Sequence, residues 1–131
     1  PAVAETWRPR IPSYWCGSWR GHPVANPQIL LVPTTNPYTV VALIQPHAGE
    51  HEVGVFEILR FLRKHESLGW RLIGIGYDTV DLEFARLPDD LKAFAQELYE
   101  FCPDLIDQGF PSLAELAKSL RATRRLHLWW D

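Results

Sequence analysis

The sequence predicts an α+β domain: a single antiparallel sheet with helices on one face, in the ferredoxin-like (split βαβ) order, preceded by a Trp/Pro-rich N-terminal arm. Three features carry that expectation. Apolar residues recur at helical spacing over 91–102, they alternate at strand spacing over 73–84 and 126–130, and neither period is present in 1–27. The composition agrees, because 131 residues that are 47% hydrophobic and include six Trp can bury a core without metals or disulfides.

Residues 1–27 contain Trp7, Trp15 and Trp19 together with five prolines. Proline fixes φ and removes a backbone donor, so the segment reads as an extended arm rather than a helix or a central strand. Its Trp side chains are too large to leave in water without reason. The arm is therefore expected to lie across a domain spanning 28–131, with docking on a partner as the second reading.

QILLVP (28–33) is a short apolar run ended by proline and predicts a buried strand. Asn36-Pro37 then opens a short helix over 37–45, with Asn as cap and Pro at the first helical position, and Pro46 ends it. HAGEHE (47–52) is a loop. Val55, Ile58, Leu59 and Leu62 share one face of an amphipathic helix over 53–65. In WRLIGIGYDTVDLEFARL (70–87), Ile73, Ile75 and Tyr77 share one face of a first strand, and Val80, Leu82 and Phe84 one face of a second. Asp78-Thr79 form the tight turn of this hairpin. Its other face, with Gly74, Gly76, Asp81 and Glu83, reads as flat and acidic.

Pro88-Asp89-Asp90 open the clearest helix, whose stripe is Leu91, Phe94, Ala95, Leu98, Phe101 and Cys102. Ser112 and Glu115 stand in capping-box spacing before a stripe of Leu113, Leu116, Ala117 and Leu120. LHLWWD (126–131) is a last strand with Leu126, Leu128 and Trp130 on one face and His127 and Trp129 on the other. With neighbouring helices merged, the order is strand–helix–strand–strand–helix–strand, which is the split βαβ pattern.

The chemistry-bearing candidates cluster in YEFCPDLIDQGF (99–110). Cys102 precedes Pro103, and a residue before proline is pushed out of the α region, so Cys-Pro ends the helix. Cys102 also continues the apolar stripe, which predicts a buried thiol. Asp104 is placed to cap a short turn, and Gly109 to supply a positive φ. The catalytic reading makes Cys102 a nucleophile, with Asp104, Asp107 and Gln108 around it. A reactive thiol needs a cation or a helix N-terminus to lower its pKa, whereas Glu100, Asp104 and Asp107 act the other way. Asp104 and Asp107, three apart, are an acid/base pair on one reading and cap residues on the other.

His47 and His51 are the weak candidates for a metal site, with His22 or Cys16 to complete it, but four-residue spacing in a loop does not place two ligands on one face. His65 and His127 read as surface or edge residues. GIG (74–76) lies inside a strand and so cannot serve as a dinucleotide loop. No cofactor is called for. Two cysteines make no disulfide framework. No signal peptide or membrane-length apolar run is visible, and a cytoplasmic location is expected. The chain starts at Pro1 and has no Met, as after initiator removal or trimming. A net charge of −3 argues against a nucleic-acid partner. Arg121, Arg124 and Arg125 form a dense basic group that reads as a solvated helix end.

GWRLIGIGYDTVDLEF (69–84), AQELYEFCPDLIDQG (95–109) and the terminal LWWD (128–131) together resemble the bacterial family called domain of unknown function 4253. The resemblance runs from about Ile29 to Asp131 and rests on Tyr77-Asp78-Thr79, Phe101-Cys102-Pro103-Asp104, Asp107-Gln108-Gly109 and Trp129-Trp130-Asp131, in that order. PHAGEHE (46–52) departs from the Asn/Gly-rich turn that similar members show. The resemblance implies a fold and no chemistry.

Three functions are weighed. The first is a non-enzymatic protein-interaction domain, accessory or immunity-type, whose contact residues are Asp81, Glu83, Trp15, Trp19 and Trp129 and whose partner is another protein with a basic surface. The second is a small enzyme or ligand-binding protein with its site at the Cys-Pro-Asp and Asp-Gln-Gly segments. RNA binding is the weakest, because the hairpin's open face offers glycines and carboxylates where an RNA-binding sheet presents stacking aromatics.

Overall fold

A computed structural model describes residues 18–19, 22–23, 31–46 and 53–130, the first two pairs by their backbone only. The chain divides between Leu31 and Val32 into two units. In the first, Ser18–Trp19 (β1) pairs antiparallel with His22–Pro23 (β2). The expectations for Trp7, Trp15, Cys16, His47 and His51, for the side chains of Trp19 and His22, and for the position of the arm fall outside the described residues.

In the second unit, Asn36 caps helix α1 (Pro37–Ile44) by accepting from the Tyr38 N–H at 3.0 Å, as the Asn-Pro pair predicts. Gln45, in the left-handed region at φ 55°, closes the helix before Pro46. Helix α2 (Val55–Lys64) begins where the Glu57 carboxylate reaches back to the Gly54 N–H at 2.9 Å. It buries Ile58, Phe61 and Leu62. Gly69, at φ 61°, ends the single 3-10 turn that follows and turns the chain into the sheet.

Three antiparallel strands make that sheet: β3 (Trp70–Ile75), β4 (Thr79–Phe84) and β5 (Arg125–Trp129), with β4 in the centre. Val80, Leu82 and Phe84 of β4 and Leu126 and Leu128 of β5 point into the core, as the alternation predicts. The alternation fails in β3. A bulge between Leu72 and Gly74 leaves Ile73 opposite no residue, so Ile75 faces the core as expected but is joined there by Trp70 and Leu72 instead of Ile73 and Tyr77. Tyr77 lies in the turn and is 71% exposed.

Helix α3 (Leu91–Phe101) is capped by Asp90, which accepts from the Ala93 N–H at 2.9 Å. Leu91, Phe94, Ala95 and Leu98 form its buried stripe. Helix α4 (Leu113–Thr123) is capped by Ser112 through the Glu115 N–H, and it buries Leu116 and Leu120. Aromatic contacts join the layers: Phe84 meets Phe94 edge-on across the sheet–α3 boundary, and Phe61 of α2 stacks on Phe101 of α3 with centroids 4.3 Å apart.

The α+β class and the antiparallel sheet are as expected; the split βαβ connectivity is not. That topology needs the first strand between the hairpin's second strand and the last strand. Here β4 and β5 are hydrogen-bonded directly over Thr79–Glu83 and Arg125–Trp129, which closes that position. Residues 31–33 of the predicted strand 28–33 are not in a strand, and Leu31 is 70% exposed.

Candidate functional site

Cys102 ends α3 at φ −137° and ψ 84°, outside the helical region, as its place before Pro103 requires. Its thiol is free, fully buried, and donates to the Trp129 carbonyl with Sγ 2.9 Å from the oxygen. Burial pushes its pKa up to about 12, outweighing the hydrogen bonds that act the other way. A nucleophile needs the reverse shift and access to solvent. Burial and the raised pKa both argue against Cys102 as a nucleophile.

The neighbouring residues serve the same joint. A π-helical turn over Leu105–Gly109 follows Pro103. Asp104 does not cap it; its buried carboxylate accepts from the Gln108 side chain at 3.0 Å. Asp107 is exposed and accepts from the Tyr99 hydroxyl at 3.2 Å, and the charge of Asp107 raises the Tyr99 pKa. The two aspartates thus engage different partners. Gly109 has no positive φ; what it supplies is room, since a Cβ there would stand 2.8 Å from the Trp129 ring.

Trp130 completes the joint. Its indole donates to the Phe101 carbonyl at 3.2 Å, and its backbone N–H donates to the Asp78 carbonyl at 3.2 Å. The Tyr77-Asp78-Thr79, Phe101–Asp104, Asp107–Gly109 and Trp129-Trp130 motifs, dispersed in sequence, meet here. Together they fix the last strand against the end of α3.

The polar chemistry lies on the other face of the sheet. The register sets Thr79 beside Trp129, Gly74 and Asp81 beside His127, and Arg71 and Glu83 beside Arg125. The Asp81 carboxylate binds His127 Nδ1, and the imidazole stacks on Trp129 at 5.5 Å between centroids. The Asp81 contact and the Trp129 stack hold the ring in one orientation. A side chain at position 74 would collide with Asp81, so Gly74 makes room for that carboxylate. Glu83 accepts from Arg71 at 2.7 Å and from Arg125 at 3.2 Å.

Outward alternation alone places Asp81, Glu83, His127 and Trp129 on this face. The Asp81–His127 pair, 46 residues apart in sequence, needs the strand register as well. Its consequence is that the face is not acidic. Both carboxylates that argued for a basic partner are matched by cations or by an imidazole within the fold. Sequence reasoning also missed His65, which is packed between Phe61 and Phe94 and bonded to Glu97 at 2.9 Å, not a surface residue.

Among the described residues no cluster of three or more His, Cys, Asp or Glu could hold a metal ion, and no helix is long and apolar enough to cross a membrane. Comparison with curated proteins and with solved structures found no match. The model of one family matches residues 28–131, which include every motif gathered at the joint. The chain belongs to that family, described as Domain of unknown function (DUF4253).

Proposed function

We propose that this chain is a non-enzymatic protein-interaction domain of a cytoplasmic bacterial protein, of the accessory or toxin-neutralising kind. One observation carries the reading: the motif residues that look catalytic are bonded within the joint, Asp104 to Gln108 and Asp107 to Tyr99, with the Cys102 thiol sealed under the Trp129 carbonyl. What remains for function is the outer sheet face, a firm surface whose side chains are held by cross-strand pairs. Such a surface suits recognition of a folded partner, because little side-chain freedom is lost on binding.

The test is quantitative capture with the full chain against two variants, Tyr77→Ala and Glu83→Lys, each first shown to melt like the parent. Support would be a protein retained in constant ratio by the parent and lost by either variant. Equal retention by all three would remove the outer face from the function. A catalytic turnover abolished by Cys102→Ser in a still-folded protein would overturn the reading altogether.

A further inference from the structure

Helix α1 is held to the domain by few contacts. Only Val41 of its residues is fully buried, while Ala42 and Leu43 are exposed. Tyr38 meets the Trp70 ring edge-on with centroids 5.3 Å apart, and the Arg63 guanidinium lies over the Tyr38 ring, 5.6 Å from its centroid. Among the described residues no hydrogen bond or ion pair joins residues 32–44 to the rest of the domain. The bonds of Asn36 with Thr34 and with the first turn of the helix are local. The Tyr38 hydroxyl is buried without a hydrogen bond. Arg63 and Glu66 stand near enough to act on its charge, yet neither meets the oxygen with hydrogen-bond geometry. A buried, unpaired hydroxyl opposes the contacts that bury it, because water satisfies it in any state where the helix comes away.

We infer that α1 is a displaceable cover, which swings away about Gln45-Pro46 while the sheet and the other three helices stay folded. Its opening uncovers the Trp70 ring and the seat of Val41, apolar surface that the closed domain withholds. The hinge follows from the two ends of the helix. Gln45 leaves the helical region at φ 55°, and Pro46 is fully buried, so the chain is anchored just past the C-terminal end. The N-terminal end has only the local bonds of Thr34 and Asn36. What lies beneath has support of its own: the Trp70 indole donates to the Leu62 carbonyl at 2.8 Å, and α2 is tied to α3 by the Phe61–Phe101 stack. An element with little buried apolar surface and no polar tie opens at a lower cost than the whole domain. The inference concerns the domain alone and stands whether or not the interaction reading does.

The experiment is native-state hydrogen exchange of the full chain across low urea, resolved amide by amide with NMR. Val40 and Gln45, whose N–H groups donate to the Asn36 and Val41 carbonyls, report on α1; Cys102, whose N–H donates to the Leu98 carbonyl, reports on α3. The expected result is faster exchange at Val40 and Gln45 than at Cys102, with a shallower urea dependence, because the opening exposes only the surface under α1. Tyr38→Phe deletes the unpaired hydroxyl and keeps the ring, and should slow exchange at Val40 and Gln45 about tenfold. A second measurement places a thiol under the cover. Val41→Cys in a Cys16→Ser background should label in the native protein while Cys102 does not. Exchange at Gln45 with the rate and urea dependence of Cys102 overturns the inference. So does exchange that Tyr38→Phe leaves unchanged or speeds, or a Val41→Cys thiol that labels only as the whole domain unfolds.

Discussion

The sealed thiol makes a prediction with two readouts. In a Cys16→Ser background the only thiol is Cys102, fully buried and with its pKa raised from 9.0 to about 12 by burial. At pH 8 an unshifted thiol is about one-tenth ionised, whereas this one is ionised to about one part in ten thousand. Modification by a thiolate-selective disulfide reagent should therefore run about a thousandfold slower than for a free cysteine, before steric protection is counted. It should accelerate in denaturant in step with unfolding. The sign of the linked stability effect follows from the same shift. Below pH 9 the thiol is neutral in both states and contributes no pH dependence. Between about pH 9 and about pH 12 the unfolded chain releases a proton that the folded chain retains, so stability falls as pH rises, by about 1.4 kcal/mol per pH unit from this group. Cys102→Ser removes that slope, and the difference between the two proteins in urea melts isolates it. Rapid native labelling near neutral pH, or parallel alkaline stability curves, would refute the reasoning.

Three further outcomes are expected. Gly109→Ala should destabilise by about 1–3 kcal/mol in urea unfolding, because its Cβ would meet the Trp129 ring at 2.8 Å and the Asp104 carbonyl at 3.1 Å; Trp129→Leu in the same chain should recover part of the loss. Burial works to raise the Glu97 pKa, but hydrogen bonds and charge from Lys64 and His65 prevail and hold it below 4.5, so Glu97 contributes stability that is lost as pH falls through its folded value. Glu97→Gln should flatten the acid limb of the stability curve, by less than about 1 kcal/mol because the carboxylate is partly solvated. Ser112→Ala should cost about 1 kcal/mol in thermal or urea melts by leaving the Glu115 N–H without its cap.

The elements that could be read from sequence are those set by local physics. The α3 stripe, the caps Asn36 and Ser112, the helix stop at Cys102-Pro103 and the inward Leu126, Leu128 and Trp130 each depend on residues a few positions apart. Two misreadings are local, the cap at Asp104 and the positive φ at Gly109, and the larger ones involve distant pairing. Strict alternation in β3 placed Ile73 inward, and only its register against β4 shows the bulge. The order of elements suggested a split βαβ, yet which strand lies beside β5 depends on long-range contacts that no local period encodes. The apolar run at 28–33 resembled a buried strand, but Leu31 at its described end is exposed. At the candidate site, burial of Cys102 was readable because it continued the α3 stripe. Its hydrogen bond to Trp129, 27 residues on, was not.

The site-like motifs and the surface that remains for recognition meet along one strand. β5 turns Leu126, Leu128 and Trp130 into the core and presents Arg125, His127 and Trp129 on the other face. Cys102 and Asp78 hold the backbone at the end of β5, by a thiol donating to the Trp129 carbonyl and a carbonyl receiving the Trp130 N–H, and Gly109 lies against the Trp129 ring. Position along β5 is thereby fixed, and with it the cross-strand register that sets Asp81 against His127 and Glu83 against Arg125. A slip of one residue would exchange the faces, burying Arg125 and His127 and exposing Leu126 and Leu128. The motif residues therefore bear on any outer-face function through register. A substitution such as Gly109→Ala should disturb the Asp81–His127 and Glu83–Arg125 pairs although it touches none of them. The imidazole proton resonances of His127, followed by NMR in the parent and the variant, read that coupling. Unchanged His127 resonances in a destabilised Gly109→Ala protein would separate the joint from the surface.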